Sequence, residues 1–369
     1  MTAIDLVLPA IPVLPHALDG TTAGAQLVIA AYVAGVAVGL LLFGVLGDYF
    51  DRRSVLASAL AAFAAATFAC SRATDMNALI ALRALQGTTG AAGAVFAPGM
   101  IRSLFDDRRA VQAIGVLGSI ESLVPALAPI AGSWLLAWYG WRASFEVTAV
   151  LALLFTGTLM AGRRMLPAGA GSRIRGGYAA LLRRGVYLRY SLSQAFTLGG
   201  LIIFVFGAPA VFVHTMDGSL GDFITLQVCG VTSFILATTA TGRLVGRFGA
   251  ERMIWAGTVL ALVASLAILA YAVAGGDDPR LVVVLFVPMN TGLGLRGPPG
   301  FLNAVIAAGG DDARGAALVV LAVMLVSTAG TALLAPFILA GLPALAGVTA
   351  AVHAAAFLAL LALPRLGSG

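Results

Sequence analysis

The sequence predicts an all-α integral membrane protein built as two six-helix bundles, and three observations carry that prediction. The first is composition. Of 369 residues, 60% are hydrophobic and 10% charged, where soluble domains run at about 45–50% apolar and about 25% charged. A mean hydropathy of +1.00 over the whole chain is too high for one soluble core. A soluble enzyme, a disordered chain and a nucleic-acid binder are excluded on that ground. The second is segmentation: apolar stretches of about 20 residues, the length that crosses a bilayer, recur along the chain. The third is an internal repeat at roughly half the chain length.

Residues 1–15 form the first apolar segment. Fifteen residues rise about 22 Å, short of the roughly 30 Å hydrocarbon core, so the first helix is expected to be truncated or to begin upstream. Eleven more spans are expected at 25–47, 54–71, 78–104, 110–137, 143–162, 190–213, 222–243, 253–274, 281–308, 315–340 and 344–363. The stretch 163–189 is rich in Gly and Arg and falls between six spans and six. It reads as a basic cytoplasmic linker, with 1–162 as an N-terminal bundle and 190–369 as a C-terminal bundle. No short basic stretch precedes a short apolar core at the start, so no cleaved signal is expected.

All 22 cationic residues are arginine, and the formal net charge is +6. If the first segment ends outside, the inner loops and C-terminus hold seventeen of them, and the outer loops hold Arg72, Arg142 and Arg280. Arg83 and Arg296 fall inside spans. The positive-inside rule supports this orientation, with the central loop and C-terminus cytoplasmic. It also turns the basic charge into a topology signal rather than a sign of nucleic acid. Cys70 and Cys229 lie far apart, and His16, His214 and His353 are scattered. That is neither a disulfide framework nor a metal or catalytic cluster. No cofactor, metal or enzymatic activity is expected, and without a Walker loop ATP is not the expected energy source.

The repeat is visible at the span ends. The second span closes with Gly44-Val-Leu-Gly47-Asp48-Tyr-Phe-Asp51-Arg52-Arg53. The eighth closes with Gly242-Arg-Leu-Val-Gly246-Arg-Phe-Gly-Ala-Glu251-Arg252, 198 residues later. The fourth and tenth spans each carry one arginine, Arg83 and Arg296, 213 residues apart. Parallel halves of six helices are a transporter architecture.

These residues resemble the major facilitator superfamily. The stretch from Gly44 to Arg53 is similar to its loop signature between the second and third helices, with Asp51 where the pattern has Gly. Leu82-Arg83-Ala-Leu-Gln86-Gly87 resembles its fourth-helix signature. Ala128-Pro129-Ile-Ala-Gly132-Ser133 resembles the antiporter signature of the fifth helix, with both flanking glycines replaced. Asp5-Leu-Val-Leu-Pro9-Ala-Ile-Pro12 and Tyr139-Gly-Trp141-Arg142-Ala-Ser-Phe145 are similar to elements of the Bcr/CflA-type drug:proton antiporters. The resemblance implies the major facilitator fold, two bundles around a central cavity, in the inner membrane and as a monomer. It implies alternating access and export of small organic molecules against inward proton flow, with substrate, protons and lipid as the partners. A dedicated metabolite or organic-anion carrier and a non-transporting, vestigial member stand as alternatives.

Proton coupling needs a group that titrates inside the membrane, where ionisable side chains are costly and face a cavity or a partner. Three acids qualify: Asp5, Glu121 and Asp222. Asp5 and Arg83 fall about two turns apart in expected depth, so an Asp–Arg pair that opens on protonation is one device; a terminal cap is the bland reading of Asp5. Glu121 sits mid-span, with Pro125 and Pro129 following at four and eight residues. Prolines there free carbonyls and bend the helix, and a carboxylate at such a bend is a candidate proton site. Hydrogen bonds from Ser119 or Ser122 would make it merely structural. Asp222 reads as an N-cap. Arg296 lies among Gly292, Gly294, Gly297, Pro298, Pro299 and Gly300, which should break or widen the tenth span. It either binds an anion or holds the break. Arg296, Pro125, Pro129 and Gly132 are thus candidates for a substrate cavity. By the resemblance, Asp48, Arg52 and Arg53 form a gating loop. Tyr32, Phe96, Phe196, Phe204, Phe206 and Met289 are available to line an apolar cavity. Gly35, Gly39, Gly87, Gly90 and Gly93 suit close helix packing.

Overall fold

A computed structural model describes residues 5–162, 177–216 and 218–367, and among these it contains α-helices, two short 3₁₀ segments and no strand. The helices are α1 (Leu14–Ala17), α2 (Thr22–Tyr49), α3 (Arg52–Ser71), α4 (Met76–Gly90), α5 (Ala92–Leu104), α6 (Asp107–Tyr139) and α7 (Arg142–Ala161). They continue with α8 (Gly177–Leu181), α9 (Gly185–Thr215), α10 (Leu220–Phe248), α11 (Ala250–Val273), α12 (Pro279–Ala307), α13 (Asp312–Leu334) and α14 (Leu342–Ala362). Nine of the helices, counted among the described residues, are long and apolar enough to cross a membrane. Most of the expected linker, 163–176, lies outside the described residues.

Three elements depart from the sequence reading. The first segment is a 3₁₀ turn, Leu8–Val13, running into α1. Pro9, Pro12 and Pro15 each lack an N–H, which disfavours a regular α-helix. The fourth span is two helices: at Ala91 the N–H turns back to the Thr88 carbonyl at 3.4 Å. Gly90 and Gly93 flank that joint, where side chains support the helix least. The tenth span, expected to break or widen, is one continuous α-helix, α12. Pro298 has no N–H to give the Gly294 carbonyl, but Thr241 and Thr238 of α10 donate their hydroxyls to it at 3.1 and 3.4 Å. The ladder bond lost to proline is replaced from a neighbouring helix.

Helix starts follow capping chemistry. Asp51 caps α3, accepting from the Ser54 N–H at 3.3 Å and the Ser54 hydroxyl at 2.9 Å. That gives the residue standing where the family pattern has Gly a local purpose. Ser219, not Asp222, is the N-cap of α10. Asp222 is the third residue of a reciprocal capping box, its carboxylate accepting from the Ser219 N–H at 2.8 Å.

The chain packs into two compact units. Unit one lies within 1–104, 120–174 and 310–317; unit two lies within 105–119, 175–309 and 318–369. In unit one the extensive packings are α2 on α4, α3 on α4 and α3 on α7. In unit two they include α10 on α12, α11 on α12 and α11 on α14. Counted by span, these are the same three pairings displaced by six, so the sequence repeat is also a packing repeat. Glycine sets the closest crossings in both. A Cβ on Gly35 or Gly39 would collide with the Ala84 or Thr88 carbonyl of α4, and one on Gly257 with the Gly292 carbonyl of α12. Unit two adds an aromatic core in which Phe204 and Phe286 stack at 5.1 Å. Its last helix is clamped at its end by Arg189, which donates to the Leu360 and Leu363 carbonyls and pairs with Glu251.

Candidate functional site

Three groups of polar side chains lie within these units, and each is best built from the helix that presents it. In unit one, α4 carries Arg83 fully inside the bundle. Its Nε donates to the Val28 carbonyl of α2 at 3.3 Å, and its Nη1 donates to Gln86 Oε1 at 2.6 Å. Gln86 in turn donates to Thr67 of α3 at 2.7 Å. The guanidinium lies over the Tyr32 ring at 4.3 Å and 5.8 Å from the Phe145 centroid, a cation–π setting that strengthens on desolvation. Four helices therefore share one charge.

Asp5 does not form the expected ion pair with Arg83. One of its carboxylate oxygens is buried without a hydrogen-bond partner. Tyr32 is the group common to both: its ring stacks under Arg83, and its hydroxyl lies within electrostatic range of Asp5. Glu121 sits on α6, which runs unbroken through Pro125 and Pro129. The Glu121 side chain is exposed. The Ser119 hydroxyl bonds back to the Gly115 carbonyl at 2.9 Å rather than to Glu121. Gly132 is buried where α6 passes the Leu6 carbonyl, and a Cβ there would collide with it.

The second group gathers at one end of unit one. Arg314 pairs with Asp48 at 2.5 Å and with Asp311 at 2.8 Å, and all three are buried. Arg102 pairs with Asp312 at 2.7 Å. Arg52 lies within electrostatic range of both Asp48 and Asp312, while Arg53 pairs locally with Asp51 at 3.5 Å. Gly99 makes room for this, since a Cβ there would stand 3.0 Å from the Asp312 Cβ. The sequence reading singled out Asp48, Arg52 and Arg53 but not Arg102, Asp311, Asp312 and Arg314 as their partners. A signal was present: Asp311-Asp312-Ala-Arg314 opens the eleventh span as Asp106-Asp107-Arg108-Arg109 opens the fifth.

The third group is in unit two. Arg296 of α12 is fully buried and donates to Ser193 of α9, to its carbonyl at 2.7 Å and its hydroxyl at 3.1 Å. No carboxylate lies within ion-pairing distance of it among the described residues. Two polar atoms of its surroundings, Gln194 Oε1 and His353 Nδ1, are buried without a partner, although His353 Nε2 meets the Thr197 carbonyl at 3.1 Å. Of the side chains offered for an apolar cavity, Tyr32, Phe96, Phe204 and Met289 are packed in cores, while Phe206 is 65% exposed.

A helical chain of spans repeated by six, with charge buried in the fourth span of each half, defines a membrane transporter fold. The family model of the Major Facilitator Superfamily matches residues 1–334, and the chain belongs to that superfamily. It is 26% identical over 298 residues to YdgK, an uncharacterized MFS-type transporter of Bacillus subtilis (strain 168), across 78% of this chain and 74% of that protein. It is 28% identical over 256 residues to the chloramphenicol resistance protein of Pseudomonas aeruginosa, across 68% and 60%. The bicyclomycin resistance protein homolog of Haemophilus influenzae matches at 24% over 258 residues, across 68% and 65%. The last two matches span less than two thirds of those relatives. Among solved structures, the Escherichia coli fucose:proton symporter FucP superimposes with a TM-score of 0.75 at 15% identity, covering 98% of this chain and 94% of that chain. The proton:xylose symporter XylE does so with 0.69 at 15%, covering 98% and 94%. These likenesses establish the major facilitator fold of a multi-pass membrane protein.

Proposed function

We propose that this chain exports small organic compounds across the inner membrane, driven by inward proton flow and working as a monomer by alternating access. The observation that carries the reading is the group around Arg83: a fully buried guanidinium stacked on Tyr32, with the unpartnered Asp5 oxygen nearby. That oxygen has no hydrogen bond to lose on taking up a proton. Its charge state is felt by Tyr32, which touches Arg83, so protonation can be passed to α2 and α4 together. Glu121, ionisable and exposed at mid-helix, is the second proton site. The drug-resistance names of relatives support small organic drugs, chloramphenicol among them, as the substrate class. Asp48, Arg52 and Arg53, with Arg314, act as the gate. The Asp48–Arg314 and Arg102–Asp312 pairs hold residues 310–317 in unit one and open as α13, which continues into unit two, changes its seat during the cycle.

The test is transport in proteoliposomes. Asp5→Asn and Glu121→Gln should each abolish proton-driven efflux, by at least about tenfold, while substrate counterflow, which needs no net proton movement, continues. If both variants pump normally under a proton gradient, the coupling assignment fails. A second reading, an organic-anion carrier, is favoured by one observation: Arg296 is a buried cation without a carboxylate neighbour among the described residues. Counterflow of organic anions that Arg296→Gln removes would select it.

A further inference from the structure

The half-chain repeat places the same joint in each unit, with different charges. In unit one, Gly47 near the end of α2 passes the start of α13, where an added Cβ would stand 3.2 Å from the Ala313 Cβ. The residues that follow these two, Asp48 and Arg314, form a buried ion pair. In unit two, Gly246 near the end of α10 passes the start of α6, where an added Cβ would stand 3.3 Å from the Arg108 Cδ. One and two turns further along α6, Gln112 meets Gly242 and Gly115 meets Thr238. The two helices therefore run antiparallel here, and all of these residues lie within unit two. Aligning Asp106-Asp107-Arg108-Arg109 with Asp311-Asp312-Ala313-Arg314 puts Arg108 in the place of Ala313, and Gly246-Arg247 falls on Gly47-Asp48. The position that supplies an anion in unit one thus supplies a cation in unit two, and Arg243 adds another one turn earlier.

Arg108, Arg243 and Arg247 are all exposed. Among the described residues no carboxylate lies within ion-pairing distance of any of them. Asp106 is paired with Arg109 at 3.7 Å and accepts its N–H at 2.9 Å, while Glu251 is held by Arg189 and Tyr190. The carbonyl end of α10 favours one cation, but Arg108 sits in the first turn of α6, where the helix dipole favours an anion. Phe105 and Phe248, 44% and 40% exposed, stand close to these arginines in the chain, and Arg247 lies over the Phe248 ring at 5.2 Å. Outward cations beside exposed rings at the end of a span fit an amphipathic anion.

We propose that Arg108, Arg243 and Arg247 hold the phosphate of an anionic phospholipid, which ties the start of α6 to the end of α10 as Asp48 ties α2 to α13. Arginine meets phosphate oxygens through paired N–H donors. The positive-inside orientation sets this joint at the cytoplasmic leaflet, where basic pockets between spans take such headgroups. The site asks nothing of the transported compound.

Native mass spectrometry of the full chain, titrated with phosphatidylglycerol or phosphatidylcholine, tests the site. Phosphatidylglycerol should bind at least about tenfold more tightly than phosphatidylcholine. Arg108→Gln and Arg247→Gln should each weaken it about fivefold, whereas Arg280→Gln, a cation lost from an outer loop, should stay within about twofold. Inorganic phosphate at equal concentration should not displace the lipid. In nanodiscs, phosphatidylglycerol should slow amide exchange across 105–119 of the wild type. Arg247→Asp, which gives unit two the carboxylate that Asp48 gives unit one, should be slow there without it. Equal affinity for the two lipids, or equal losses in all three glutamine variants, would overturn the site. Displacement by inorganic phosphate would assign the arginines to a soluble anion instead, and wild-type exchange indifferent to phosphatidylglycerol would remove the tie between α6 and α10.

Discussion

Arg83 and Arg296 each lie in the fourth span of their half, both fully buried, and their surroundings differ. Arg83 is distributed: a carbonyl on α2, an amide relay to α3, and rings from α2 and α7 share its charge. Arg296 leans on one residue, Ser193, beside a glutamine and a histidine that each keep an unpartnered atom. The segments borrowed by each unit differ in the same sense. Residues 310–317 are held in unit one by buried ion pairs. Residues 105–119 sit in unit two through Gln112 against Gly242 and the Arg108 stem against Gly246, where a Cβ would stand 3.3 Å away. At these positions unit one gathers its charged couplings into networks with several members, whereas unit two relies on backbone, hydroxyls and close approach and keeps its own charged network apart, at the Arg189–Glu251 clamp. A buried polar network left partly satisfied is costly, so the loss of one member is felt by the others.

The largest expected effect is at Arg314. Arg314→Met leaves Asp48 and Asp311 buried without their shared cation, at a cost of about 3–5 kcal/mol. Amide exchange in 310–317 should accelerate accordingly, and unchanged protection there would remove the charged half of the comparison. Next comes Arg83→Met, which leaves Gln86 Oε1 buried without its donor. At about 1–3 kcal/mol for the group left unsatisfied, it should lower the Tm of the purified protein by several degrees. The smallest is Arg296→Met. It strands no carboxylate and removes the desolvation cost of a lone buried cation, so its stability should stay within about 1 kcal/mol of wild type. A Tm drop equal to that of Arg83→Met would erase the difference between the units.

Much of this was legible in the sequence because hydropathy and arginine placement act locally. The spans, Arg83 and Arg296 as buried charges, Gly35 and Gly39 as crossing points, and the half-chain repeat all follow from short-range patterns. What was not legible depends on residues far apart in the chain. The glycines and prolines around Arg296 signal a break only if no neighbour donates to Gly294, and Thr241 does so from α10. The Asp5–Arg83 pair looks natural by depth, but the Val28 carbonyl and Gln86 take N–H groups of the guanidinium, from residues the depth estimate did not include. Arg314 is invisible as a partner of Asp48 because 266 residues separate them.

The hydroxyl donors on Gly294 have a consequence for how the chain is made. α12 has the lowest mean hydropathy of the nine long spans and the most buried surroundings. Leaving the ribosome alone, it would bring into lipid a guanidinium and a carbonyl whose ladder donor is absent, both costly there. The groups that receive them, Ser193 of α9 and Thr238 and Thr241 of α10, are synthesised earlier. Chain order therefore matches insertion need. A circular permutant that places α12 ahead of α9 and α10 would keep every native contact and still meet the bilayer before its partners exist.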